Sequence, residues 1–201
     1  TTGTAEKKGV VSPLLLPDIA LLDADLTLGL PPAITAATGV DAMVHAIEAY
    51  ASKSANNNPL SKMLARQALQ LIGANIEKAV LDGKDVEARG AMLLGSMLAG
   101  QAFANSPVAA VHALAYPIGG PFHVPHGLSN ALVLPHVLRF NAPDAAHLYA
   151  EIATDAFPRL AGEEGVQGRC AAFIEELASL SKRLGLQPRQ RVARVGPAAV
   201  E

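Results

Sequence analysis

The chain has 201 residues, half of them hydrophobic, with charge on only 17% of positions and a net charge of −2. That length and apolar content allow a sizeable core in one domain, or in one domain plus part of another. The near-neutral balance, with only the sparse Arg189, Arg191 and Arg194 clustered, argues against a nucleic-acid face. A single cysteine, Cys170, excludes a disulfide framework and a cysteine-based zinc site, and reads as a small helical hydrophobe. The single cysteine points to the reducing cytoplasm as the expected compartment, and Thr1 to Lys8 holds no signal-like apolar segment. Aromatics are few and Trp is absent, which favours close-packed aliphatic helices over a sandwich or barrel.

In chain order, Thr1 to Lys8 reads as a loop. Gly9 to Leu16 and Ile19 to Leu22 read as short strands separated by Pro17-Asp18. Two such strands are not stable alone, so residues 1 to about 28 look like the edge of something else. Pro31-Pro32 suits the first turn of a helix that Val40, Met43, Val44 and Ile47 carry through Tyr50. Asn56 to Pro59 breaks the chain and offers a cap for a second helix ending at Asp82-Gly83. A third runs from about Asp85 to Ala104. Further helices are expected over Pro107–Ile118, Gly127–Arg139, Pro143–Ala156 and Val166–Leu184, with an irregular tail from Gln187.

From Gly90 to Leu138 there is no Asp, Glu, Lys or Arg over 49 residues. A membrane hairpin would need two spans of about 20 apolar residues, but five prolines, Gln101, Asn105, Asn130 and four histidines interrupt. The reading is instead a buried helical centre, where charge is costly unless paired or bound to metal. Asp41 and His45 lie one helical turn apart and can chelate one ion together, and Glu48 continues their stripe. By spacing alone the signal is weak, and a polar stripe on a solvated face is the more ordinary explanation. His112 lies inside the uncharged stretch, and His126 follows in Val124-Pro125-His126-Gly127 at a loop-to-helix junction. One carboxylate and three imidazoles without a thiolate suit Fe²⁺, Zn²⁺, Mn²⁺ or Co²⁺.

Gly39 to Tyr50 (GVDAMVHAIEAY) resembles the first signature of the iron-containing, group III alcohol dehydrogenases. Ala102 to Asn105 through His112, then Gly119 to Asn130 and Leu134-Pro135-His136, resembles their second. The resemblance spans about residues 7 to 185. It implies a mainly α fold, a helical bundle like the C-terminal domain of dehydroquinate synthase, over residues 29–201. Residues 1–28 would then be the strand remnant of an α/β nucleotide-binding domain. The metal ligands would be Asp41, His45, His112 and His126, with Fe²⁺ or Zn²⁺ as the ion. Phe103 would be the substrate-pocket aromatic and Lys7 a nucleotide contact. NAD(P) would be the cofactor, a small alcohol or aldehyde the substrate, and a homodimer the assembly.

Two features depart from the family pattern. Tyr116 stands where many members carry a histidine that lines the substrate site and assists proton relay, and a phenol is a poor substitute near neutral pH. Gly3 and Gly9 form no glycine-rich phosphate loop. Residues 1–201 alone are therefore expected to bind metal with little NAD(P)-dependent turnover. The alternatives are a maleylacetate reductase-like enzyme, a hydroxyacid–oxoacid transhydrogenase, or an inactive metal-binding fragment. His123 is a candidate to support the metal ligands, while His136 and His147 read as ordinary helix residues.

Overall fold

The computed structural model describes residues 12–120 and 122–186. Six α-helices make up the described part: α1 (Pro32–Ala51), α2 (Pro59–Leu81), α3 (Val86–Asn105), α4 (Ala110–Gly119), α5 (His126–Ala156) and α6 (Gly165–Arg183). Short 3₁₀ turns cover Pro13–Leu15, Ala24–Thr27 and Pro158–Gly162.

Local chemistry fixes the starts of α1, α2 and α3. Pro32 occupies the first turn of α1, where a missing N–H costs nothing. Asn58 caps α2 by accepting from Leu60 and Ser61, and Ser61 returns a bond to the Asn58 N–H. Asp85 caps α3 by accepting from Ala88. The Arg89 guanidinium, buried in α3, then ties three segments together. It donates to the Leu30 and Gly83 carbonyls and to Thr35 Oγ1.

α1 is the central rod, packing against α2, α3 and α5. Val40, Met43, Val44 and Ile47 are almost wholly buried along it. Burial of each such side chain is worth about 1.5–3 kcal/mol, which outweighs the weak helix propensity of β-branched residues. Two glycines permit close helix approach. A Cβ on Gly127 would meet the Ala37 carbonyl carbon at 2.6 Å, and one on Gly73 would meet that of Ala156 at 2.9 Å. The first contact presses the start of α5 onto α1, and the second presses the far end of α5 onto α2.

Two expectations are corrected. No strand occurs among the described residues. Pro13–Leu15 is a 3₁₀ turn and residues 19–22 are irregular, with Leu14, Ile19 and Leu21 exposed. These apolar runs have strand-like composition but no partner, and a strand needs one. Residues 9–11 of the first expected strand lie outside the described residues.

The two helices expected over 127–139 and 143–156 are one helix of 31 residues, continuous through Pro135 and Pro143. A proline costs about 3 kcal/mol in a helix interior. Leu134, Pro135, Leu138, Tyr149 and Ile152 are buried along both halves, and that packing outweighs the local penalty.

The uncharged stretch is less exposed than residues 143–185, as a helical centre should be, although burial within it is mixed. It holds nearly as many exposed as buried positions, with Leu94, Leu114, Tyr116 and Phe122 among the exposed. No helix among the described residues is long and apolar enough to cross a membrane.

Candidate metal centre

Asp41 and His45 project from one face of α1, one turn apart. That stripe turns inward toward α4 and α5 rather than onto solvent. His112 comes from the first turn of α4, and His126 is the first residue of α5. Around Asp41 Oδ1 stand His112 Nε2 at 3.5 Å, His126 Nε2 at 3.8 Å and His45 Nε2 at 4.0 Å. Donor atoms of Asp41, His45 and His112 lie within 4.8 Å of one another. His126 stands outside that mutual set and meets it through Asp41. The rings of His45 and His112 stack with centroids 4.7 Å apart.

Bonds of about 2.0–2.3 Å to one ion place ligand atoms no more than about 4.6 Å apart, and near 3.5 Å in a tetrahedron. The three distances to Asp41 fall within this span. Asp41, His45 and His112 are thus spaced as a shared divalent ion would require, to within a few tenths of an ångström, and His126 approaches them at Asp41.

Two residues not singled out as site members join the cluster. Glu48, buried one turn beyond His45, accepts from the Ala109 N–H at 2.9 Å and the Val111 N–H at 2.7 Å. Its Oε2 also lies 2.7 Å from His112 Nδ1. Asn130, fully buried one turn beyond His126, directs its amide nitrogen at Asp41 Oδ1, at His112 Nε2 (3.2 Å) and at His126 Nε2 (3.3 Å). Its own Oδ1 is buried without a hydrogen-bond partner. An amide N–H₂ thus points into the lone pairs that a cation would collect. Both residues lie on the ligand stripes in sequence, Glu48 three after His45 and Asn130 four after His126, which is the signal that could have found them.

The electrostatics follow from this packing. Burial alone would raise the Asp41 carboxyl, but the His112 hydrogen bond, the other imidazoles and Asn130 hold it below its ordinary value. Burial drives His45 down to about 4 despite the Asp41 charge, with His112 and His126 adding to the depression. His112 is opposed by burial yet pushed up to about 9 by hydrogen bonds to Asp41 and Glu48. His112 thus holds its proton, and its positive charge, between Asp41 and Glu48 at neutral pH.

The other sequence candidates are distributed as follows. Phe103 lies beside His45, ring centroids 4.7 Å apart. Tyr116, partly exposed, stacks along His126 at 6.0 Å. His123 is exposed in the loop before α5 with a left-handed φ of 52° and is not among the clustered donors. His136 and His147 are exposed on α5. Lys7 lies outside the described residues.

An all-helical domain presenting a carboxylate and imidazoles from three helices defines a candidate transition-metal protein. The chain belongs to the Fe-containing alcohol dehydrogenase family, whose C-terminal part matches residues 35–198. It is 49% identical over 183 residues to long-chain-alcohol dehydrogenase 1 of Geobacillus thermodenitrificans, covering 90% of this chain and 45% of that protein. The crystal structure of a 1,3-propanediol oxidoreductase superposes with a TM-score of 0.80 at 38% identity, over 87% of this chain and 45% of the other. A sulfoacetaldehyde reductase from Bifidobacterium kashiwanohense, solved in complex with NAD⁺, superposes with a TM-score of 0.76 at 27% identity, over 94% and 47%. The chain thus spans somewhat less than half the length of these relatives.

Proposed function

We propose that this chain is the metal-binding helical part of an NAD(P)-dependent alcohol dehydrogenase. Asp41, His45, His112 and His126 hold one divalent ion, Fe²⁺ or Zn²⁺. The observation that carries the reading is the convergence of the Asp41, His45 and His112 donor atoms, from segments more than 60 residues apart, with His126 alongside. When bound, such an ion supplies Lewis-acid polarisation of an alcohol oxygen, and the nicotinamide is the hydride acceptor.

The chain's own residues have separable tasks. Asp41 brings negative charge to the cation, and the imidazoles bring neutral donors. Phe103, against His45, offers an apolar wall for the carbon chain of the alcohol. Tyr116, stacked along His126, offers a phenol at the exposed edge of the cluster. Residues 1–28 belong with a nucleotide-binding domain, where Lys7 contacts the cofactor, and 29–201 with the helical domain. The substrates are small alcohols and aldehydes, the assembly is a homodimer and the compartment is the cytoplasm. The alcohol and diol dehydrogenases among the relatives favour alcohol oxidation over the maleylacetate reductase-like and transhydrogenase readings.

Two measurements test the reading. Chelator competition on the purified chain should give one equivalent of Fe²⁺ or Zn²⁺, lost in Asp41→Ala. Absorbance of reduced nicotinamide with primary alcohols and diols should show metal-dependent turnover once the chain is joined to the family's nucleotide-binding domain, and little without it. No stoichiometric metal binding by the chain would refute the reading.

A further inference from the structure

α4 is the shortest of the six helices, and it carries a metal ligand candidate, His112, in its first turn. Its N-cap residue is Ala109, which has no side chain to satisfy the free N–H groups of that turn. Those groups are met from another helix. Glu48 of α1 accepts from the Ala109 N–H with Oε2 and from the Val111 N–H with Oε1, and the same Oε2 lies 2.7 Å from His112 Nδ1. A carboxylate that accepts two backbone N–H bonds has no proton to give, so Nδ1 must be the donor. At the other edge of the ring Nε2 faces both the Asp41 carboxylate at 3.5 Å and the Asn130 amide nitrogen at 3.2 Å, so once the neutral ring keeps its proton on Nδ1 its Nε2 lone pair is turned toward the cluster.

We propose that Glu48 is a positioning residue of the metal centre: reaching from α1, it caps α4 from outside and holds His112 in the tautomer whose Nε2 is free to bind a cation. The residue therefore does two things with one carboxylate. It locks the register of α4 against α1, so that His112 meets Asp41, which sits two turns before Glu48. It also keeps the ring proton on Nδ1. A carboxylate behind a ligating imidazole raises its basicity, and losing such a partner typically costs about 10–100-fold in metal affinity.

Glu48→Gln separates these tasks because it keeps the shape and removes one acceptor. If the amide oxygen faces His112, the N–H₂ meets the Val111 N–H donor to donor. If the oxygen faces Val111, the N–H₂ opposes Nδ1 and pushes the ring proton to Nε2, where it blocks a metal. Either way the centre weakens while the fold keeps part of its cap.

The proposal rests on the metal-centre reading. If Asp41→Ala binds metal as the wild type does, that reading fails. If Asp41→Ala loses metal and Glu48→Gln does not, only the present inference fails. The experiment is Zn²⁺ affinity of the purified chain by competition with a chromogenic chelator, with the melting temperature of the metal-free protein as the fold control. The expected result is a 10–100-fold affinity loss in Glu48→Gln, with a lower but still cooperative metal-free melting transition, since the His112 pair and part of the α4 cap are lost. An affinity within about threefold of wild type overturns the proposal. A second readout needs no variant. Proton–nitrogen correlation of the His112 ring in metal-free wild type, at alkaline pH where the ring is neutral, should show the proton on Nδ1. A proton on Nε2 there overturns the proposal as well.

Discussion

Gly127→Ala tests how the close approach of α5 to α1 builds the centre. The added Cβ would sit 2.6 Å from the Ala37 carbonyl carbon, with the carbonyl oxygen closer still. Carbon atoms rest at about 3.5–4.0 Å, so the start of α5 must retreat by about 1 Å. Gly127 follows His126 directly, and Ala37 lies one turn before Asp41, so the retreat acts on the His126–Asp41 separation of 3.8 Å. An increase to about 4.8 Å would loosen the one close approach, to Asp41, that ties His126 to the other donors.

Overpacking of this kind costs about 1–3 kcal/mol, and alanine returns little propensity in a first helical turn. Gly73→Ala is the matched control. It makes a similar clash with Ala156, about 45 Å along α5 from His126 at the helical rise of 1.5 Å per residue. Urea titration should show comparable destabilisation of both variants. Chelator competition should show more than tenfold weaker Zn²⁺ binding only in Gly127→Ala. Equal metal affinity in the two variants would refute the view that this helix contact sets the site.

The metal-free chain should be most stable near pH 6.5 as far as the site histidines decide it. His112 titrates at about 9 when folded and 6.5 when unfolded, so its contribution of roughly 3 kcal/mol is full below 6.5 and lost as pH rises through 9. His45, held neutral down to about 4, binds its proton more readily unfolded, so stability falls as pH drops from 6.5 to 4. Denaturant midpoints across pH 4–10 measure both limbs, and a flat profile counts against the assigned environments. Zn²⁺ affinity should rise with pH up to about 9, since the ion must displace the His112 proton. Arg89→Met should cost about 2–3 kcal/mol in urea unfolding, because the Leu30 and Gly83 carbonyls and the Thr35 hydroxyl lose a buried donor. Its Zn²⁺ affinity should stay near wild type.

Local chemistry made much of the helical order legible. Pro31-Pro32, Asn58 and Asp85 announce the starts of α1, α2 and α3 because each satisfies or dispenses with free N–H groups at its own position. Two things were not local. The run from Pro135 to Pro143 reads as a break because the proline penalty is visible in sequence and the packing of Leu138 and Tyr149 is not. Leu14 to Leu16 and Ile19 to Leu22 read as strands because composition cannot tell whether a pairing edge exists. In the site, Asp41 and His45 were legible from a single turn, and His112 and His126 from their uncharged surroundings and the signature. Glu48 and Asn130 showed only as continuations of the ligand stripes; their roles were not legible, because the Glu48 partners lie 61 or more residues away and Asp41 lies 89 from Asn130. Only the folded chain brings them to His112 and Asp41.

The absence of fixed cations between Gly90 and Leu138 explains the behaviour of the centre better than burial does. Asp41 and Glu48 both face this stretch, and among the described residues their ion-pair partners are histidines alone, with no Lys or Arg. A buried carboxylate needs compensating charge. Here the chain supplies it without a fixed cation, as an exchangeable proton and as hydrogen-bond donors, the Ala109 and Val111 N–H groups at Glu48 among them. A proton on His112 is one such form, and it accounts for that group's rise to about 9. The Asn130 amide supplies a second, partial one at the expense of its own unpartnered oxygen. A lysine or arginine near His112 would have satisfied the carboxylates permanently and left no electrostatic reason to take up an ion. Placing one there, as in Ala115→Lys one turn after His112, should therefore lower metal affinity even if every ligand is retained.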